Sequence, residues 1–172
     1  MVKTYKSPKL TLADDEVFVF GANNSGFHAA GSAGYASFNE FGNVWRKHEY
    51  DKKPNGWKGK WNVKGASVGP QMGTEGKSYA IPTVTRPGEK RSIPLNIIKK
   101  SVRVFYNFAK SRPHLKFFVA QENSDGLNGY GADEMAYCYC GDIPNNVYFD
   151  HEFAKIIVEQ SLEYLEDEFK YQ

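Results

Sequence analysis

The chain has 172 residues, 41% of them hydrophobic and 15% aromatic, which excludes a disordered polymer and fits one domain with a real core. Its net charge of +2 is too small to imply a nucleic-acid partner by itself. No run reaches the ~18 apolar residues of a membrane span, and the opening MVKTYKSPKL lacks a signal-peptide apolar stretch, so the expected location is cytoplasmic.

The first predicted element is the apolar run Val17-Phe18-Val19-Phe20, a strand. It leads into Gly21, Asn23, Asn24, Ser25 and Gly26 and then into a small-residue pattern that stops at Gly42, read as a glycine-rich loop and a helix. From Asn43 to Lys77 no period is evident, and this stretch is expected to be a long insertion or lid. Ser78 to Val84 reads as a strand ending near Pro82. Ile98, Val102, Phe105 and Ala109 fall on one helical face, with Pro94 suiting the start and Pro113 the end. Leu115 to Ala120 reads as a buried strand, Ala132 to Cys140 as a short helix, and Asn146 to Phe149 as a further strand. The last helix is expected over about 151–169, with Ala154, Val158, Leu162, Leu165 and Phe169 as its apolar stripe and an acidic, solvated opposite face. Four strand–helix units in a row predict an α/β domain with a mostly parallel sheet covered on both faces.

In such folds ligands bind beyond the carboxyl ends of the strands. Three segments are expected to meet there: Gly21 to His28, the stretch after Ile81, and Gln121 to Tyr130. A glycine-rich loop before a helix offers backbone N–H groups to an anion, so a phosphate-bearing nucleotide is the first inference. Gly21, Gly26 and Gly31 permit close backbone approach, and Asn23 and Asn24 suit ribose hydroxyls or a diphosphate. His28 is a candidate general acid, because an unperturbed imidazole titrates near neutrality. The second loop supplies Glu122, Asn123, Ser124 and Asp125, and a carboxylate beside a ribose can position a water. The alternative for each of these residues is turn, cap or core duty. Trp45, Trp57 and Trp61, interleaved with Lys and Arg, also fit a single-strand nucleic-acid surface, although a packed hairpin with solvated lysines is the favoured reading. Cys138 and Cys140 cannot form a metal site alone and read as packed thiols.

Four segments, FVFGANNSGFHAAGSA, GTEGKSYAIPT, FFVAQENSDGLNGYGADEMA and NVYFDHEFAKII, resemble the macro domain superfamily, more closely its divergent phage-type group, in the order expected for that fold. The resemblance implies a three-layer α/β/α sandwich with a mostly parallel central sheet that binds ADP-ribose or a related nucleotide. Some members hydrolyse such derivatives. Carried over, it places Asn23 and Asn24 near the distal ribose, with Asn23 or Asp125 directing a water. Gly126, Leu127, Asn128, Gly129 and Tyr130 wrap the diphosphate, and Phe149 or its neighbour Tyr148 stacks on adenine. Two features depart from the pattern: Leu12 to Glu16 carries acids without a Gly-Asp-Ile motif, and Ser124-Asp125-Gly126 stands where the divergent group has Gly-Cys-Gly. The chemistry calls for no cofactor or metal. Two alternatives stay open: a non-catalytic module that sequesters a nucleotide signal or binds nucleic acid, and a phage accessory or structural protein with a degenerate pocket.

Overall fold

A computed structural model describes residues 2–7, 9, 11–24, 68–72, 76–86, 88–120 and 128–170. They form a six-stranded sheet and three helices. The strands are β1 (Lys3–Tyr5), β2 (Glu16–Asn23), β3 (Gly69–Met72), β4 (Lys77–Val84), β5 (Lys116–Val119) and β6 (Val147–Asp150). The helices are α1 (Leu95–Lys110), α2 (Ala132–Tyr139) and α3 (His151–Lys170). The sheet order is β1-β6-β5-β2-β4-β3, parallel throughout except for β3, which runs antiparallel to β4. The protein is therefore an α/β domain with a mixed, mostly parallel sheet.

β2 and β4 are buried on both faces, which is why their sequences are continuous apolar runs rather than alternating ones. Strand parity sorts their side chains. Val17, Val19, Tyr79, Ile81, Phe117, Val119, Val147 and Phe149 share one core with the buried faces of all three helices. Phe18, Phe20, Ala22, Ala80 and Ala120 form a second cluster on the other face. Among the described residues, every helix lies on the first face.

Pro94 precedes α1 as expected, and Ile98, Val102, Phe105 and Ala109 are all fully buried. Pro82 does not end β4 but sits two residues inside it, paired with Ala22. β3 pairs only with Lys77 to Ala80, so the missing N–H of Pro82 lies beyond that ladder. The apolar stripe expected on α3 needs correction. Val158 and Leu162 are exposed, and the face that packs is Phe153, Ala154 and Ile157. β1 and β3 were not anticipated; β3 occupies part of the expected insertion, and 43–67 lies outside the described residues.

Ser78 is wholly buried in β4, and its hydroxyl finds no hydrogen-bond partner among the described residues. Burying a hydroxyl without a partner costs free energy that an apolar group of the same shape avoids. Ser78→Ala is therefore expected to leave stability unchanged or raise it by up to about 1 kcal/mol. Urea denaturation checks this, and a clear loss of stability would contradict it.

Candidate ligand site at the carboxyl ends of the sheet

β2 and β5 are neighbours, and the strands that follow them in the chain lie on opposite sides: β3 and then β4 after β2 on one side, β6 after β5 on the other. β5 ends beside Val19, where the Ala120 N–H donates to the Val19 carbonyl at 2.8 Å, and β2 runs on past it to Asn23. Parallel sheets open a crevice where connections diverge in this way.

Gly21 is not a loop residue. It is a strand position paired with Ile81, and a Cβ there would meet Thr83 Oγ1 at 3.1 Å. Its small size fits the strand against Thr83 rather than a ligand. Asn23 is also in the strand and is buried, at the irregularity where pairing passes from Ala22↔Pro82 to Asn23↔Val84. Asn24 is exposed, and its N–H donates to the Val84 carbonyl at 3.0 Å. The two asparagines thus divide: one faces inward, the other opens the turn beyond the strand. Gly26, His28, Gly31, Ser124, Asp125, Gly126 and Leu127 lie outside the described residues.

The described end of the second loop is closed on itself. The Asn128 side chain accepts from the Tyr130 N–H at 2.9 Å and donates to the Met135 sulfur, and the Tyr130 hydroxyl donates to the Ile93 carbonyl at 2.6 Å. Both side chains are buried. The Gly131 N–H donates to Glu134 Oε1 at 3.2 Å. Asn128 and Tyr130, expected to wrap a diphosphate, therefore spend these groups on the turn. Asp133 and Glu134 in the first turn of α2 already complement the helix N-terminus, which makes it a poor seat for a further anion. Gly129 has a packing reason. Its φ is +84°, and a Cβ would lie 2.6 Å from Lys90 Cβ.

What packs there is a clamp between the β4–α1 connection and this loop. Arg91, at φ +55°, donates its backbone N–H to the Asn128 carbonyl at 2.6 Å. Its guanidinium makes two 3.0 Å bonds to Glu134 and lies 4.5 Å over the Tyr130 ring. Hydrogen bonding from Arg91, helped by the Gly131 N–H, holds the Glu134 carboxyl below its usual range. Glu134 was findable as an acidic residue in the first turn of a helix, but nothing local in the sequence identifies Arg91 as its partner.

Phe149 also needs correction. Its ring is fully buried, edge-on to Tyr139 at 5.5 Å and against Phe153 at 6.1 Å, with no face left for a base. Tyr148 points to the opposite face, stacks on Phe118 and lines a cleft at the amino ends of the strands. Asp150, at the end of β6, was not anticipated. Its Oδ2 accepts from the N–H groups of Glu152 and Phe153, capping α3, while Oδ1 accepts from the Ser7 hydroxyl at 2.5 Å. Cys138 is buried, and burial pushes the Cys140 thiol up, away from the thiolate form.

Among the described residues no cluster of three or more His, Cys, Asp or Glu side chains could hold a metal ion. No helix among them is long and apolar enough to cross a membrane. Comparison with known proteins gives no match to any family model or to any curated protein.

Proposed function

We propose that this protein binds a nucleotide of the ADP-ribose type at the carboxyl ends of β2 and β5, in a macro-domain-like α/β/α sandwich. The observation that carries the reading is the divergence of the chain at these two adjacent strands, since the loops that the sequence marks as ligand-bearing leave from them. One of the two outer layers of such a sandwich is supported by the described helices. β4→α1→β5 and β5→α2→β6 travel one way across the sheet with their helices on one face.

In this reading Asn24, exposed at the exit of β2, meets the distal ribose, and Asn23 holds the strand end in shape beneath it. Hydrolysis of an ADP-ribose derivative is the accompanying activity, with Asp125 directing the water. Titration calorimetry with ADP-ribose tests the binding. Saturable binding that Asn24→Ala weakens about tenfold, roughly the 1.4 kcal/mol of one good polar contact, is the expected result. Absence of any heat and of any thermal shift at millimolar ADP-ribose would reject the site. A product assay on ADP-ribosyl esters, run on the same protein, separates a catalyst from a sequestering module.

A further inference from the structure

A cleft of about 480 Å³ opens at the amino ends of β1, β5 and β6, the opposite edge of the sheet from the crevice above. That volume falls within the range of about 300–1,000 Å³ typical of small-molecule sites. Its charged lining is three lysines against one aspartate. Lys110 is neutralised by Asp142 at 2.7 Å. Lys116 lies 3.9 Å from Asp15, a long contact between half-exposed groups. Lys3 has no carboxylate partner among the described residues, and its ammonium rests 5.5 Å from the centroid of the Tyr148 ring.

The sheet register brings these groups together. Lys3 is paired with Tyr148 across β1 and β6. On the other side Tyr148 is paired with Phe118 of β5, and Lys116 stands two residues before Phe118, towards the amino end of that strand. Lys3, Tyr148 and Lys116 share one face by strand parity. β1 and β5 stand two strand spacings apart, about 10 Å, which two lysine arms can close from either side. Between them the Tyr148 ring is fixed, because its inner face stacks on Phe118 with centroids 5.1 Å apart and planes at 21°. Lys3 approaches it from the β1 side. Ile143 supplies an apolar wall.

We propose that this cleft binds a phosphate monoester that also carries a planar aromatic ring, as a nucleoside monophosphate does, with the ring laid on Tyr148 and the dianionic phosphate between Lys3 and Lys116. Lys3 moves from the ring face to the phosphate as the ligand's ring takes its place. Two poorly compensated ammonium groups match a dianion better than a single carboxylate, and a fixed aromatic face selects a planar group beside it. This site is separate from the carboxyl-end crevice and does not depend on it.

The test is a titration of the ¹⁵N-labelled full chain with AMP as probe, with adenosine and inorganic phosphate as separate arms, followed by amide NMR. The expected result is saturable shifts at Lys3, Lys116 and the 145–148 amides, with AMP at least tenfold tighter than either arm. Lys3→Ala combined with Lys116→Ala should weaken AMP at least tenfold, and steepen no other transition. Tyr148→Leu should reduce AMP to the affinity of inorganic phosphate, while Tyr148→Phe keeps AMP binding and controls for folding. No saturable shift at these amides, equal affinity for AMP and phosphate, or unchanged AMP affinity in the double lysine variant would overturn the proposal. Because these amides lie at the opposite edge of the sheet, the outcome is distinguishable from success or failure of ADP-ribose binding near Asn24.

Discussion

Phe117→Ala is expected to lower the unfolding free energy by about 3–5 kcal/mol. Phe117 lies in β5 between β2 and β6, paired with Val17 and Val147, and is wholly inaccessible to solvent. Its ring meets Phe105 of α1 edge-on at 5.5 Å and Phe108 at 5.8 Å. Truncation removes the ring from both contacts, and the flanking strands hold the backbone too firmly for the void to collapse. Against a total stability of about 5–15 kcal/mol, the variant should be close to unfolding at room temperature. Urea denaturation followed by circular dichroism measures the loss. Val104→Ala, at a side chain 59% exposed on the outer face of α1, is the comparison and should stay within about 0.5 kcal/mol. Similar losses for the two would mean that Phe117 is not at the centre of the core.

Asn146→Asp should cost about 3 kcal/mol at neutral pH. The Asn146 amide nitrogen lies 2.9, 3.0 and 3.0 Å from the carbonyls of Ala109, Arg112 and Leu115. It therefore fastens the end of α1, the following turn and the start of β5 to β6 through one side chain. An aspartate of the same shape replaces the donor with an oxygen and points negative charge at three acceptors. The fold disfavours that charge, so the carboxyl's folded pKa is raised above its unfolded value. Stability tied to a raised pKa is present at low pH and lost as pH rises through it. The deficit relative to the parent protein should consequently shrink as pH falls, when the acid regains one donor. Chemical denaturation of both proteins at pH 7 and near pH 4 reads the difference. An equal deficit at both values would show that Asn146 is not acting as a donor.

The parts legible in the sequence were those in which burial leaves a local trace. β2 and β5 are continuous apolar runs, and Ile98, Val102, Phe105 and Ala109 repeat at helical spacing, so periodicity found them. β1 has three residues, two of them exposed, and exists because β6 offers it an edge; no local pattern carries that information. On α3 the run Ala154, Val158, Leu162 competes with Phe153, Ala154, Ile157, and only packing against the sheet decides between them.

The site was less legible because its residues were judged by type rather than by direction. Gly21 was read as a turn residue, yet its small size serves Thr83 on the neighbouring strand. Asn128 and Tyr130 looked available for a ligand but close their own turn through contacts that depend on Met135 and Ile93. Phe149 and Tyr148 are adjacent in sequence and on opposite faces of β6, so a one-residue change in parity decides which ring enters the core. Arg91 is the furthest from any sequence rule, since its left-handed backbone is bonded to Asn128 and its guanidinium to Glu134, 43 residues away.

The outer strands of the described sheet bear on how the protein behaves when concentrated. A sheet can recruit a neighbour through unpaired backbone groups on its margins, the first step towards aggregation. At one margin, β1 offers only three residues, with exposed Lys3 within it and exposed Lys6 just after it. At the other, β3 offers four and contains exposed Pro70, which has no N–H to donate, next to Gly69 at φ +87°. An approaching strand therefore meets like charge at one side and an interrupted ladder at the other. The eight-residue strands β2 and β4 and the apolar β5 are kept inside, each with a partner on both sides, where they cannot template growth between molecules.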